Sequence, residues 1–183
     1  MSRKFILVTV FILCMGFAGE IFAQNAQQTT QDLITALGKT KYKKKEKKNF
    51  SSERYIDIKS EAVVKSNAAD YTGIYESSDD GYRLELRVSA DGRAEGSGFA
   101  TDFRNPEKRS FTLRDARVEG ALLTATLIYA DGATEKFEAV FNNRTTVEGK
   151  NPNEIESRET KYGLGFVKFY PDSTNRFFLE FKP

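Results

Sequence analysis

The chain of 183 residues contains no histidine and no tryptophan, one cysteine and four prolines. Without histidine, neither a Ser-His-Asp nor a Cys-His nucleophile system has its base. Zinc sites built from His and Cys cannot be assembled, and haem on a proximal His is excluded, although a Tyr ligand remains conceivable. What is left for an enzyme is carboxylate, Tyr or Lys chemistry, and no motif organises it. Asp79 and Asp80 sit in Ser77-Ser78-Asp79-Asp80-Gly81, which reads as a turn because Ser, Asp and Gly favour turns for backbone reasons. Gly96-Ser97-Gly98 and Gly163-Leu164-Gly165 lack the Lys and Ser/Thr of a phosphate loop. The expectation is a non-enzymatic chain with no catalytic residue, no metal and no cofactor.

Long hydrophobic runs are also missing. The one apolar stretch, Phe5 to Cys14, is about half the roughly 20 residues needed to span a bilayer. It follows Arg3 and Lys4, and Gly16, Ala18 and Gly19 come before the polar Gln24. That order of positive start, apolar core and small-residue exit is a secretory signal. Cleavage is predicted after Ala23, which gives a secreted or periplasmic protein with no transmembrane segment in the mature chain. Cys14 leaves with the signal, so no disulfide is expected even in an oxidising compartment.

The net charge of +2 hides an asymmetry. Residues 24–67 carry ten Lys/Arg against five Asp/Glu, whereas residues 68–183 carry sixteen against twenty. Within the first part, Lys41, Lys43, Lys44, Lys45, Lys47 and Lys48 crowd together. Like charges at that density repel and bury nothing, so residues 24–69 read as a polar, largely disordered linker. One short helical possibility lies around Thr30 to Leu37, with Leu33, Ile34 and Leu37 on one side. The six lysines are candidates for contact with an anionic envelope surface through point charges. No nucleic-acid partner is expected.

What the chain has in quantity is aromatic residues, fifteen Phe and eight Tyr, and alternation. Tyr82, Leu84, Leu86 and Val88 alternate with Arg83, Glu85 and Arg87, the period of a half-buried strand. Asp91-Gly92 follows as a hairpin signal. The return strand, Arg93 to Phe99, is thinned by Ala94, Gly96 and Gly98, which suggests a bend, a bulge or a close backbone approach. Further strands are predicted over Phe111 to Val118, Leu123 to Tyr129, Phe137 to Phe141 and Thr145 to Glu148. The last two are Tyr162 to Tyr170 and Arg176 to Phe181. Asn142-Asn143 is predicted as a turn and Gly149 to Thr160 as a polar loop. Such short strands joined by tight turns point to an all-β, antiparallel up-and-down barrel of about eight strands, with a β-sandwich as the alternative.

The entry Asp70-Tyr71-Thr72-Gly73-Ile74-Tyr75 resembles the opening strand of lipocalin-like, calycin-type β domains of secreted bacterial proteins. Phe169-Tyr170-Pro171-Asp172 followed by Phe177-Phe178-Leu179-Glu180-Phe181 resembles their last hairpin. The resemblance spans residues 70–183. It implies a barrel that binds a small apolar molecule or serves as an accessory domain, with no catalytic residue to carry over. Tyr129, Phe137, Phe141, Phe166, Phe177 and Phe181 are the candidate cavity lining. A barrel of eight strands is either filled by its own side chains or holds one small ligand. The expected function is a non-enzymatic extracytoplasmic module that binds a small apolar molecule or a protein partner. The alternative is an interaction domain held at the cell envelope by its lysine-rich arm.

Overall fold

The computed structural model describes residues 24–38, 40–44, 54–79, 81–102, 105–170 and 173–183. The whole predicted signal peptide lies outside them. A helix, α1, covers residues 24–37. Ten strands follow: β1 Thr40–Lys44, β2 Arg54–Ala62, β3 Gly73–Glu76, β4 Tyr82–Val88, β5 Arg93–Asp102, β6 Asn105–Glu119, β7 Leu122–Tyr129, β8 Thr134–Asn151, β9 Glu154–Tyr170 and β10 Ser173–Lys182. A single 3-10 turn, Ala68–Tyr71, precedes β3.

Strands β3 to β10 form a meander in which each pairs antiparallel with the next, and β10 returns to β3. This is a closed eight-stranded barrel, and the sandwich alternative falls. Closure leaves no edge within the ring. The period-two pattern of β4 is realised as read, with Leu84, Leu86 and Val88 buried and Glu85 and Arg87 exposed. Thinning of β5 has a direct cause. A Cβ at Gly98 would lie 1.9 Å from the Arg83 carbonyl oxygen, and one at Gly96 2.6 Å from that of Glu85. Strand β5 also carries a register shift between Ala94 and Ser97, as a bulge requires.

Two sequence readings of the second half are corrected. Asn142-Asn143 is not a turn, and Gly149 to Thr160 is not a loop. Both belong to a long hairpin, β8 of 18 residues and β9 of 17, joined at Asn151-Pro152-Asn153-Glu154. At about 3.3 Å per residue β8 runs for roughly 60 Å, further than the barrel wall alone. Residues 134–140 of β8 pair with β7, whereas residues 142–149 pair with β2 along the same edge. The outer half of the hairpin is therefore a wing, β1-β2-β8-β9, projecting from the barrel. Its polar composition hid it, above all over residues 150–160, which are all exposed, because alternation is invisible where both faces meet solvent.

The segment expected to be a linker is also structured where it is described. The helix predicted around Thr30 to Leu37 is present but starts earlier, at residue 24. Leu37 packs with Ala121 and Val140 on the outside of the barrel, supported by Leu33, Ile34 and Val167. Strand β2 joins the sheet over eight paired residues, Tyr55 to Ala62. Its Ile56 and Ile58 were the signal available in the sequence. Among the described residues, no helix is long and apolar enough to cross a membrane.

Candidate binding site at the barrel mouth

The two ends of the barrel differ. One end is capped by the 3-10 turn. Asn67 starts it, its side chain accepting from the Ala69 N–H at 3.0 Å, and Tyr71 is delivered into the barrel opening. The Tyr71 ring stacks on Phe141 with centroids 4.1 Å apart. Its hydroxyl accepts from the Lys65 N–H at 2.8 Å and lies 2.9 and 2.8 Å from the carbonyls of Val63 and Gly120, which share its proton. Behind it, the Tyr75 hydroxyl donates to the Tyr71 carbonyl at 2.6 Å. Burial pushes the phenols of Tyr71 and Tyr75 above their ordinary value and that of Tyr162 up to about 12. The ammonium of Lys65 lies 4.7 Å from the Tyr162 ring centroid and 5.5 Å from that of Tyr71.

The other end is the mouth, where β4, β6, β8 and β10 begin and β5, β7 and β9 finish. A cleft of about 390 Å³ opens there, lined by Tyr82, Tyr129, Glu135, Lys168, Phe169 and Tyr170 among others. Glu135 organises it. The Tyr129 hydroxyl donates to Glu135 Oε2 at 2.8 Å, and Lys168 Nζ stands 3.0 Å from Oε1. Burial raises the Tyr129 phenol, and the Glu135 carboxylate raises it further, so this hydroxyl is held as a donor. The Lys168 ammonium also sits 5.5 Å from the Tyr82 ring centroid. Arg109 covers the Tyr129 ring at 4.2 Å and reaches Asp131 Oδ2 at 2.7 Å. Beyond this ordered cluster, Phe169 stands 77% exposed at the tip of β9.

The six predicted lining residues all face the barrel interior, but they divide between its ends. Tyr129, Phe137, Phe166 and Phe177 lie in the mouth half. Phe166 stacks on Phe177 at 4.9 Å, meets Phe137 edge-on at 5.2 Å and meets Tyr82 at 5.5 Å. Phe141 and Phe181 lie in the capped half, against Tyr71, Tyr75 and Tyr162. The rings touch one another, and none of the clefts described reaches Phe137, Phe141, Phe166 or Phe181. The interior is filled by its own aromatics.

Glu135, Lys168, Arg109, Phe169 and Tyr170 were missed in the sequence because each lies towards the mouth end of its strand, where alternation has few neighbours to confirm it. Tyr82 was legible: it has the same parity as buried Leu84 and Leu86. Of the lysine-rich stretch, Lys41, Lys43 and Lys44 fall on β1. Lys45, Lys47 and Lys48 lie outside the described residues. Strand β1 is on the wing, paired with β2. No family model, no curated protein and no solved structure matches the chain.

Proposed function

We propose that the chain is a non-enzymatic, extracytoplasmic, lipocalin-like β-barrel module that binds a protein partner through the rim of its open mouth. The observation that carries this reading is Phe169, 77% exposed beside the half-exposed Tyr170. Both stand over a cluster already ordered by Glu135, Lys168 and Arg109. An exposed aromatic on an ordered polar floor, with Tyr and Arg beside it, is the make-up of an interface anchor. A filled interior leaves little depth for a small ligand. The signal predicted at residues 1–23 supports the compartment, and the absence of histidine removes His-based nucleophile chemistry.

A small apolar molecule seated in the mouth is the second reading, favoured by the volume of the cleft, which falls at the low end of ligand pockets. From the sequence alone we also propose that the lysine-rich stretch contacts an anionic envelope surface, an attraction that salt would screen.

A photo-cross-linking amino acid placed at position 169 in the exporting host tests the proposal. Position 64 is the control, since Val64 is 70% exposed and far from the mouth rim. Protein adducts at 169 and none at 64 are expected. Equal capture at both positions, or none at 169, would remove the partner reading.

A further inference from the structure

Helix α1 lies against the outer wall of the barrel, and its hold there is narrow. Leu37 is its one buried side chain, with Leu33 and Ile34 half-buried. These three meet Ala121, Val140 and Val167 in a cluster separate from the aromatic interior. On either side of that contact the wall is open. A cleft of about 1010 Å³ separates the first turns, at Asn25, Thr29 and Thr30, from Leu122, Thr124 and Glu138 of the wall. A second, of about 420 Å³, opens beside Leu37. The polar tie at the end of the helix is an exposed one. Arg176 Nε donates to the Ala36 carbonyl, where water competes for both partners.

Beneath Leu37 the wall carries a polar group with nothing to bond. Asn142 faces outward from β8, between β2 and β9. It is 1% exposed, and neither its amide nitrogen nor its amide oxygen has a hydrogen-bond partner among the described residues. Leu37 Cδ1 and the Asn142 amide oxygen converge above Gly165 of β9, where a Cβ would stand 2.6 Å from one and 3.0 Å from the other. The bare glycine is the seat of Leu37. Seating it keeps water from the Asn142 amide, and a buried polar group without a partner is destabilising. The contact that holds α1 down therefore carries its own opposing force.

We propose that α1 is a releasable strap, a two-state device that leaves the wall while the barrel stays folded. Its release bares the apolar strip of Ala121, Val140 and Val167 and admits water to Asn142, whose amide is satisfied only in the released state. Asn142 thereby sets how often the strap opens. Segments with few buried apolar contacts open locally well before the whole fold does, and a helix this short has little stability away from a packing surface. The ring of β3 to β10 keeps both neighbours of every strand without α1.

Native-state hydrogen exchange of residues 24–183 tests the strap. Amides of residues 30–37 should exchange at least about 100-fold faster than those of β7 and β8, through an opening that low urea hardly affects. Asn142→Leu, an apolar side chain of the same branching, should slow exchange in α1 roughly fivefold or more, because docking no longer strands an amide. Gly165→Ala should do the reverse by crowding Leu37, with β7 still protected. Val140→Cys gives residues 24–183 their only thiol, which separates release of α1 from fraying of its turns. That thiol should react at the rate at which α1 opens, and more slowly when Asn142→Leu is added. Protection in α1 equal to that of β7 and β8, exchange in α1 unchanged or faster in Asn142→Leu, slower exchange in Gly165→Ala, or an introduced thiol that reacts only when the barrel unfolds would overturn the proposal.

Discussion

The two ends of one barrel are built from the same residue types and do opposite things with them. At the capped end, Tyr71 and Phe141 are buried face to face, and the Tyr71 hydroxyl meets three backbone groups from separate stretches of chain. At the mouth, the Tyr129 hydroxyl meets the Glu135 side chain, and Phe169 points into water. An aromatic whose polar tip bonds to backbone is a fastening, because backbone cannot leave. An aromatic whose polar tip bonds to Glu135 is held by another side chain, on a surface that another molecule can reach. The difference teaches where to look for stability and where to look for binding.

That contrast breaks first under truncation. Phe141→Ala should cost about 3–5 kcal/mol, the range for a fully buried large aromatic, as measured by urea denaturation. Phe169→Ala at the tip of β9 should change stability by no more than about 0.5 kcal/mol. Similar losses at the two positions would dissolve the distinction. Next in size is Tyr71→Phe, which keeps the ring and its stack but strands the Lys65 N–H and the two carbonyls. The expected loss is about 1–3 kcal/mol, with faster hydrogen exchange at Lys65 and little change around Glu135.

Alkaline unfolding sharpens the comparison with a smaller effect. The phenols of Tyr71, Tyr75 and Tyr162 are raised by burial. The folded state therefore keeps its protons after the unfolded chain, with the ordinary phenol value of 10.0, has lost them. Stability is fully present below pH 10 and falls above it, through the Tyr162 value of about 12. The slope is about 1.4 kcal/mol per pH unit for each phenol held neutral. Denaturation midpoints that stay level from pH 9 to 11.5 would show these phenols to be wet.

Much of the barrel was readable from the sequence, and the reasons are specific. Strand β4 announced itself because its outward face is charged and its inward face apolar, and Asp91-Gly92 fixed the turn after it, where Gly92 has φ +83°. Gly96 and Gly98 signalled the close approach of β4 and β5. The helix was legible only at Leu33, Ile34 and Leu37, because its first turns face solvent and carry no apolar period. The wing was illegible over residues 150–160, all exposed, so nothing in their pattern distinguished strand from loop. Asn142-Asn143 misled by composition. Asn favours turns when its own backbone is free, and here both partner strands of β8 hold that backbone in place.

For the candidate site, the sequence identified six inward rings but not their arrangement. Parity along a strand says which side chains enter the barrel. It does not say whether rings from facing strands meet, and Phe166 and Phe177 do meet, 4.9 Å apart. The cluster of Glu135, Lys168 and Arg109 joins β8, β9 and β6, which only the strand pairings through β7 and between β8 and β9 bring together.

The central claim is that this barrel is filled and works from its rim. Native mass spectrometry of residues 24–183, purified gently from an exporting host, tests it most directly. The account predicts the mass of the bare polypeptide. An additional small-molecule mass that is lost on denaturation would contradict it, and would place a ligand where the aromatic rings now pack.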